Sequence, residues 1–236
     1  MLPLVLVLAG LACLVVGGLI LRTLGPRYRV GRLLAAAPQA TLEEAVALAD
    51  ANVSRYVRLH GRISSDEEFP DDHDRPLVYR RRRVEVREGG QWRSLVDDRE
   101  AVPFGIEARG TYIAVDATGL DHGLVVITRE ADGHVADLPA DLQEGVAVEL
   151  PSRLVIEQVS AVEHAFVCGV PVRSGDEVLI GPGLGRPLVL TTLELDAAMR
   201  VLGRGHRRQL QAAVALLPAG GLLLAGAAIA VLLGVS

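Results

Sequence analysis

The two ends of the chain constrain it most. The first charged side chain is Arg22, and after Arg208 no charge appears as far as Ser236. The opening run reads "MLPLVLVLAGLACLVVGGLIL" and the closing run "AAVALLPAGGLLLAGAAIAVLLGV". Roughly 20 consecutive apolar residues are enough for a helix to cross a bilayer core. The sequence therefore predicts transmembrane helices over 2–21 and 211–235. A cleaved signal peptide would want a basic start, a shorter apolar run and a small-residue cleavage site. The start here is uncharged and the run is long. "LAGLAC" is only loosely a lipoprotein box, because Gly10 stands where a leucine-like residue belongs and the apolar run continues past Cys13. Pro218 can be accommodated in a spanning helix. The glycines and alanines of the second run permit close contact with the first.

Arginines flank both runs on their inner sides. Arg22, Arg27, Arg29 and Arg32 follow the first, and Arg200, Arg204, Arg207 and Arg208 precede the second. The positive-inside rule then places the middle of the chain in the cytoplasm and both termini outside, as a multi-pass inner-membrane protein. Each arginine near anionic headgroups contributes about 1 kcal/mol, so membrane lipid is an expected partner. All 24 basic residues are arginine. With so much alanine and glycine, that suggests a GC-rich prokaryotic genome.

Between the ends the pattern changes twice. Residues 22–51 read as a juxtamembrane segment with one short helix. Thr41 caps that helix and Glu44 completes a capping box. From residue 52 to 195 short runs rich in Val, Ile and Leu alternate with Gly, Asp and Pro turns. "RYVRLHGRI", "PLVYRRRRVEV", "QWRSLV", "TYIAVD", "GLVVIT", "SRLVIEQV", "EHAFVCGVPV", "DEVLIG" and "RPLVLTTLE" read as strands, with "EGGQ" as a hairpin turn. So many strands without intervening helices predict a mainly β domain, an antiparallel barrel or sandwich. Residues 196–210 read as a helical connector.

Four arginines, Arg80, Arg81, Arg82 and Arg83, stand in a row inside one of these strands. Side chains alternate faces along a strand, so Arg80 and Arg82 point one way and Arg81 and Arg83 the other. They cannot form one flat patch. The acidic loop from Asp66 to Asp74 lies just upstream and is the expected neutraliser. The alternative is an edge that contacts a protein partner or lipid headgroups. Nucleic acid is not expected: net charge is −5 and aromatics make up 3%, too few to stack bases.

Direct signs of chemistry are weak. No His-Glu-x-x-His occurs among the six histidines. His164 and Cys168 lie four apart on a strand, roughly 13 Å, too far to share a metal. "GPGLGRP" lacks the Lys-Ser/Thr of a phosphate loop and reads as a turn. Ser64-Ser65, Asp121-His122 and Glu163-His164 are fragments of a hydrolase triad without a nucleophile elbow. Cys168, set among valines, reads as an inert buried thiol. No catalytic residue, cofactor site or metal site is read from the sequence.

Several segments in order resemble the GIDE, or beside-a-membrane, domain of the mitochondrial ubiquitin ligases called MULAN or MAPL. They are Val78-Tyr79-Arg80, Gly90-Gln91-Trp92, Val102-Pro103-Phe104 and Val115-Asp116, followed by "IEQV", "FVCG" and "GDEVLIGPG". The resemblance implies a membrane-tethered β-domain that serves as a partner-binding or regulatory module. The animal ligases carry a zinc-binding RING finger after the second span, and this sequence has no cysteine pair for one. The implied function is a non-catalytic adaptor or scaffold for a protein partner. The alternative is one component of an E3 ubiquitin ligase-like system whose catalytic part is a separate chain.

Overall fold

A computed structural model describes residues 2–120, 123–203 and 207–232. It divides into two compact units, residues 1–32 with 199–236, and residues 33–198. The first is helical. It holds most of α1 (Leu2–Ala36) and all of α5 (Arg207–Leu232). These two helices meet through their glycines. A Cβ on Gly10 would lie 3.0 Å from the Gly220 carbonyl oxygen, and one on Gly17 would lie 3.1 Å from Leu217. The absence of side chains at these positions is what lets the backbones approach. Leu4, Leu8, Leu11, Val15 and Leu19 stay exposed on the other sides of α1.

The two expected membrane spans are not supported. Among the described residues, no helix is long and apolar enough to cross a membrane. The expected spans and the multi-pass reading built on them are corrected accordingly. The helices do not follow the boundaries of the apolar runs. α1 continues beyond its uncharged stretch through Arg22, Arg27, Arg29 and Arg32, so these arginines lie inside the helix rather than after it. α5 opens on Arg207 and Arg208 and contains Pro218. Arg200 lies in α4 (Leu195–Gly203). Arg204 lies outside the described residues.

The second unit opens with α2 (Leu42–Asp50). The Thr41 hydroxyl accepts from the Glu44 amide and the Glu44 carboxylate accepts from the Thr41 amide, the capping box read from the sequence. Leu42, Ala45 and Ala49 are spaced to one side of the helix and are buried in the core.

The strands in chain order are β1 (Val57–Ser64), β2 (Phe69–Pro70), β3 (Pro76–Glu88), β4 (Gln91–Ala101), β5 (Gly105–Ala108), β6 (Thr111–Val115), β7 (Leu124–Val125), β8 (Arg129–His134), β9 (Pro151–Ser160), β10 (His164–Ser174), β11 (Glu177–Gly181) and β12 (Val189–Thr191). A four-residue helix, α3 (Ala140–Gln143), lies between β8 and β9. Five strands close a barrel in the cyclic order β1-β5-β6-β11-β10-β1. All neighbours are antiparallel except β6 and β11. Numbered within the barrel, that order is 1-2-3-5-4-1 with strands 3 and 5 parallel, the connectivity of the OB barrel. The barrel alternative is therefore the correct one of the two the sequence left open. One parallel pair is present in an otherwise antiparallel ring.

Closure depends on β1 serving two neighbours. Its first part, Val57 to Arg62, pairs with β10, and its end, Arg62 to Ser64, pairs with β5. Gly61 sits at the handover, where a Cβ would come within 2.8 Å of the Glu107 carbonyl oxygen. Leu59, Ile63, Ile106, Ile113, Val167 and Ile180 point inward and fill the barrel. Each contributes about 1.5–3 kcal/mol by leaving water.

The second sheet is made from two insertions in this barrel. One, between β1 and β5, carries β2, β3 and β4. The other, between β6 and β10, carries β8 and β9. They interleave in the order β2-β3-β9-β8, with β4 also paired to β3. The β3–β4 turn has Gly89 at φ 58° and Gly90 at φ 83°. Two consecutive left-handed residues define the tight primed hairpin turn, which glycine adopts without steric cost.

Candidate functional site

The arginine run lies in the middle of the second sheet, with β4 on one side and β9 on the other. The alternation read from the sequence is observed. Arg81 and Arg83 share a face, and both reach Glu157 of β9, at 4.0 Å and 3.4 Å. Arg80 points the other way, to Glu100 of β4 at 2.6 Å, with its guanidinium 5.3 Å from the Phe69 ring centroid.

The partners differ from those expected. Arg81, Arg83 and Arg80 are neutralised by strand carboxylates rather than by the upstream acidic loop. Arg81 makes two parallel bonds to Asp97, Nε to Oδ1 and Nη2 to Oδ2, both 2.6 Å. This fork geometry is the strong form of the Arg–carboxylate pair. The Asp97 carboxyl is held below its usual range, first by the bonds from Arg81 and then by the charges of Arg81, Arg99 and Arg83. Glu85 accepts a 2.6 Å bond from Arg153 Nε of β9, has Arg153 Nη2 also at 2.6 Å, and lies 3.8 Å from Arg83. The Arg153 guanidinium in turn stacks 4.3 Å from the Trp92 centroid. Cations and carboxylates thus alternate across β4, β3 and β9 on one face. Long arginine stems lie along the sheet while their heads find acids.

Arg82 is different. It is exposed, stands opposite Asp98 in the ladder, and has no ion pair or side-chain hydrogen bond among the described residues. It is the one member of the run whose charge is turned fully outward.

The acidic loop has its own organisation. Asp71 is buried and accepts from the Arg75 amide, the His73 amide and the Arg75 guanidinium at 3.0, 2.7 and 2.9 Å. These bonds, the Arg75 amide foremost, hold its carboxyl far below the usual carboxylate range against the opposing effect of burial. Asp71 is thus a structural latch that closes the 71–75 turn. Asp66, Glu67 and Glu68 remain on the surface near the Ser65 turn.

The barrel places the other singled-out residues apart from this sheet. Cys168 is fully buried on β10, and burial pushes its thiol up to about 12 despite the Arg58 charge. His164 stacks on His60 at 5.9 Å, and His60 lies 4.4 Å from Phe166, all on the outer surface of β1 and β10. Tyr112 lies on the outer surface of the β5–β6 pair, where OB barrels commonly receive ligands. Its phenol is pushed up by burial and, to a lesser degree, by the acids Glu177 and Asp66. The "GPGLGRP" turn is a hairpin: Gly183 and Arg186 exchange backbone bonds of 3.0 and 2.9 Å across Leu184 and Gly185. Of the triad fragments, Asp121-His122 lies outside the described residues. His164 is occupied by its ring stack, and Ser65 donates to the carbonyls of Glu67 and Pro103. A shallow cavity of about 400 Å³ lies between α2 and the start of β1, lined by Gln39, Glu44, Leu48, Arg55 and Val57 among others.

Sequence reading missed β8, whose "READGH" has no large apolar residue, and with it the full width of the sheet that carries the arginines. It also did not anticipate Asp97, Glu100, Glu157 and Glu85. The cluster of acids at the end of β4, Asp97, Asp98 and Glu100, was the available signal.

The class defined by this geometry is an OB-connected barrel carrying an ion-paired insertion sheet. Comparison with family models, with curated proteins and with solved structures returns no match.

Proposed function

We propose that the chain is a non-catalytic adaptor whose insertion sheet docks a protein partner, in line with the GIDE-like segments of its sequence. The observation that carries the reading is the contrast within the arginine run. Arg80, Arg81 and Arg83 are consumed by internal carboxylates, whereas Arg82 is presented outward on a rigid strand held on both sides. Rigid presentation reduces the ordering cost of binding, and arginine is enriched at the centres of protein interfaces. The matching partner surface presents a carboxylate to Arg82. Fold alone does not assign this role, since OB barrels host many functions.

The test is site-specific photo-crosslinking in cells at position 156, the half-exposed residue opposite Arg82 on β9, and, for comparison, at position 60 on the barrel surface. The adaptor reading expects one defined protein captured at 156, not at 60, and lost in Arg82→Glu. Equal capture at both positions, or capture indifferent to Arg82→Glu, would overturn it. So would substrate turnover by the purified chain that a point substitution abolishes.

A further inference from the structure

We propose that β4 is a self-pairing edge, through which two copies of this chain join their second sheets into one. This goes beyond the adaptor reading and does not depend on it. Among the described residues β4 pairs with β3 alone, and all of its eleven residues are exposed or half-exposed. In an antiparallel ladder, alternate residues of an edge strand turn their N–H and C=O groups away from the sheet. Such a row is a template for another strand, and charges normally guard it by making a random pairing unfavourable.

The charges of β4 are arranged so that its own antiparallel copy is the favourable exception. Arg93 lies on one side of the central Leu95-Val96, and Asp97 and Asp98 lie on the other. The ladder to β3 contains a bulge here. Val84 faces Val96 while Glu85 faces Ser94, leaving Leu95 as the extra residue. The bulge switches the alternation of side chains. Trp92, Ser94, Asp97 and Arg99 share one face, and Gln91, Arg93, Val96, Asp98 and Glu100 share the other.

Consider a second β4 laid antiparallel about a two-fold axis between Leu95 and Val96. Arg93 then stands opposite Asp98 of the second copy, on the same face. On the other face Trp92 stands opposite Arg99, and Ser94 opposite Asp97. Gln91 meets Glu100, and Leu95 meets Val96 at the centre. The two-fold repeats each pairing. Without the bulge, the same pairs would point to opposite faces and no ion pair would form. Opposite charges directly across a strand pair stabilise it and like charges destabilise it.

The experiment is sedimentation velocity of the full chain and of three variants: Arg93→Asp, Asp98→Arg and the exchange of both. The proposal expects self-association, weakened about tenfold or more by either single reversal, which sets like charges opposite each other. It expects recovery in the double variant, which restores opposite charges. Circular dichroism checks that each variant is folded. Should a single reversal misfold, disulfide capture of Arg93→Cys/Asp98→Cys in a Cys13→Ser background decides the matter. A covalent dimer supports the pairing, and its absence overturns it. A chain that stays monomeric, or self-associates without regard to the reversals, also overturns it. Association with a different protein's strand at β4 would likewise replace the second copy and refute the proposal.

Discussion

Arg81 and Asp97 are joined diagonally across the second sheet by two 2.6 Å bonds. The ladder sets Arg81 directly opposite Arg99, and Arg83 directly opposite Asp97. Two like charges face to face would destabilise the strand pair. The Asp97 carboxylate relieves that, lying within reach of Arg81 and 3.7 Å from Arg99.

This pair and its neighbour in sequence should behave very differently. Arg81 is almost wholly buried, with 9% of its side chain exposed, while Asp97 is about a third exposed. Arg81→Ala takes the two-bond partner from Asp97, leaving Arg99 at 3.7 Å, and one of two arginines from Glu157. It should destabilise the fold by about 2–3 kcal/mol, the remaining partners and the partial exposure of Asp97 moderating the cost. Arg82→Ala removes an outward charge with no partner among the described residues and should stay within about 0.5 kcal/mol. Urea denaturation of both variants makes the comparison. Equal losses would refute the assignment of Arg81 as the internal member of the run.

Asp71 should give the fold an acid limit. Its carboxyl titrates lower in the folded chain than the ordinary value near 3.9 for an unfolded aspartate. A depressed folded value means that the stabilisation is complete above the unfolded value. It is lost as pH falls through the lower folded value. Asp71→Asn should therefore melt at a lower temperature than wild type at pH 7, and the difference should shrink as the solution is acidified below about pH 4. Thermal melts across that range would show it. A constant gap would mean that Asp71 does not act through its charge.

Gly61 should tolerate no side chain. A Cβ would press on the Glu107 carbonyl oxygen at 2.8 Å, where β1 passes from β10 to β5. The nearest atoms are all Glu107 backbone rather than the end of a flexible side chain, which leaves little room to yield. Gly61→Ala should cost about 1–3 kcal/mol by overpacking. Gly110, at φ 81° in the β5–β6 turn with open space around it, is limited by conformation instead. Chemical denaturation and amide exchange along β1 would separate the two effects, since only Gly61→Ala should loosen the β1–β5 register.

Cys168 should be silent to thiol chemistry in the folded state. With its thiol pushed up to about 12, almost none is thiolate at pH 8. In a Cys13→Ser background, alkylation at pH 8 should be negligible until denaturant unfolds the barrel, and then proceed at the rate of a free cysteine. Mass spectrometry over time reads this directly. Prompt modification in the native state would place Cys168 in an accessible site.

Local patterns were legible where local physics decides them. Thr41 and Glu44 specify a helix start because both halves of the capping box lie within one turn. Gly89-Gly90 specifies a hairpin because only glycine sits easily at two successive positive φ angles. The period-two alternation of Leu59, Gly61 and Ile63, and of Ala165 and Val167, fixes which sides of β1 and β10 face inward. Tertiary structure decided what those strands meet. "VRLHGRI" and "AFVCGVPV", which share a loose form, turn out to be adjacent barrel strands paired along Val57 to Arg62. The parallel β6–β11 contact joins residues about 65 apart, and nothing local to either strand encodes it. The acids that answer the arginine run sit on β4 and β9, and Glu157 lies more than 70 residues away. The nearer carboxylates of the 66–74 loop were the reasonable choice by sequence distance. Asp71, however, is already committed to closing its own turn, and only the interleaving of two barrel insertions brings the other carboxylates to the arginines.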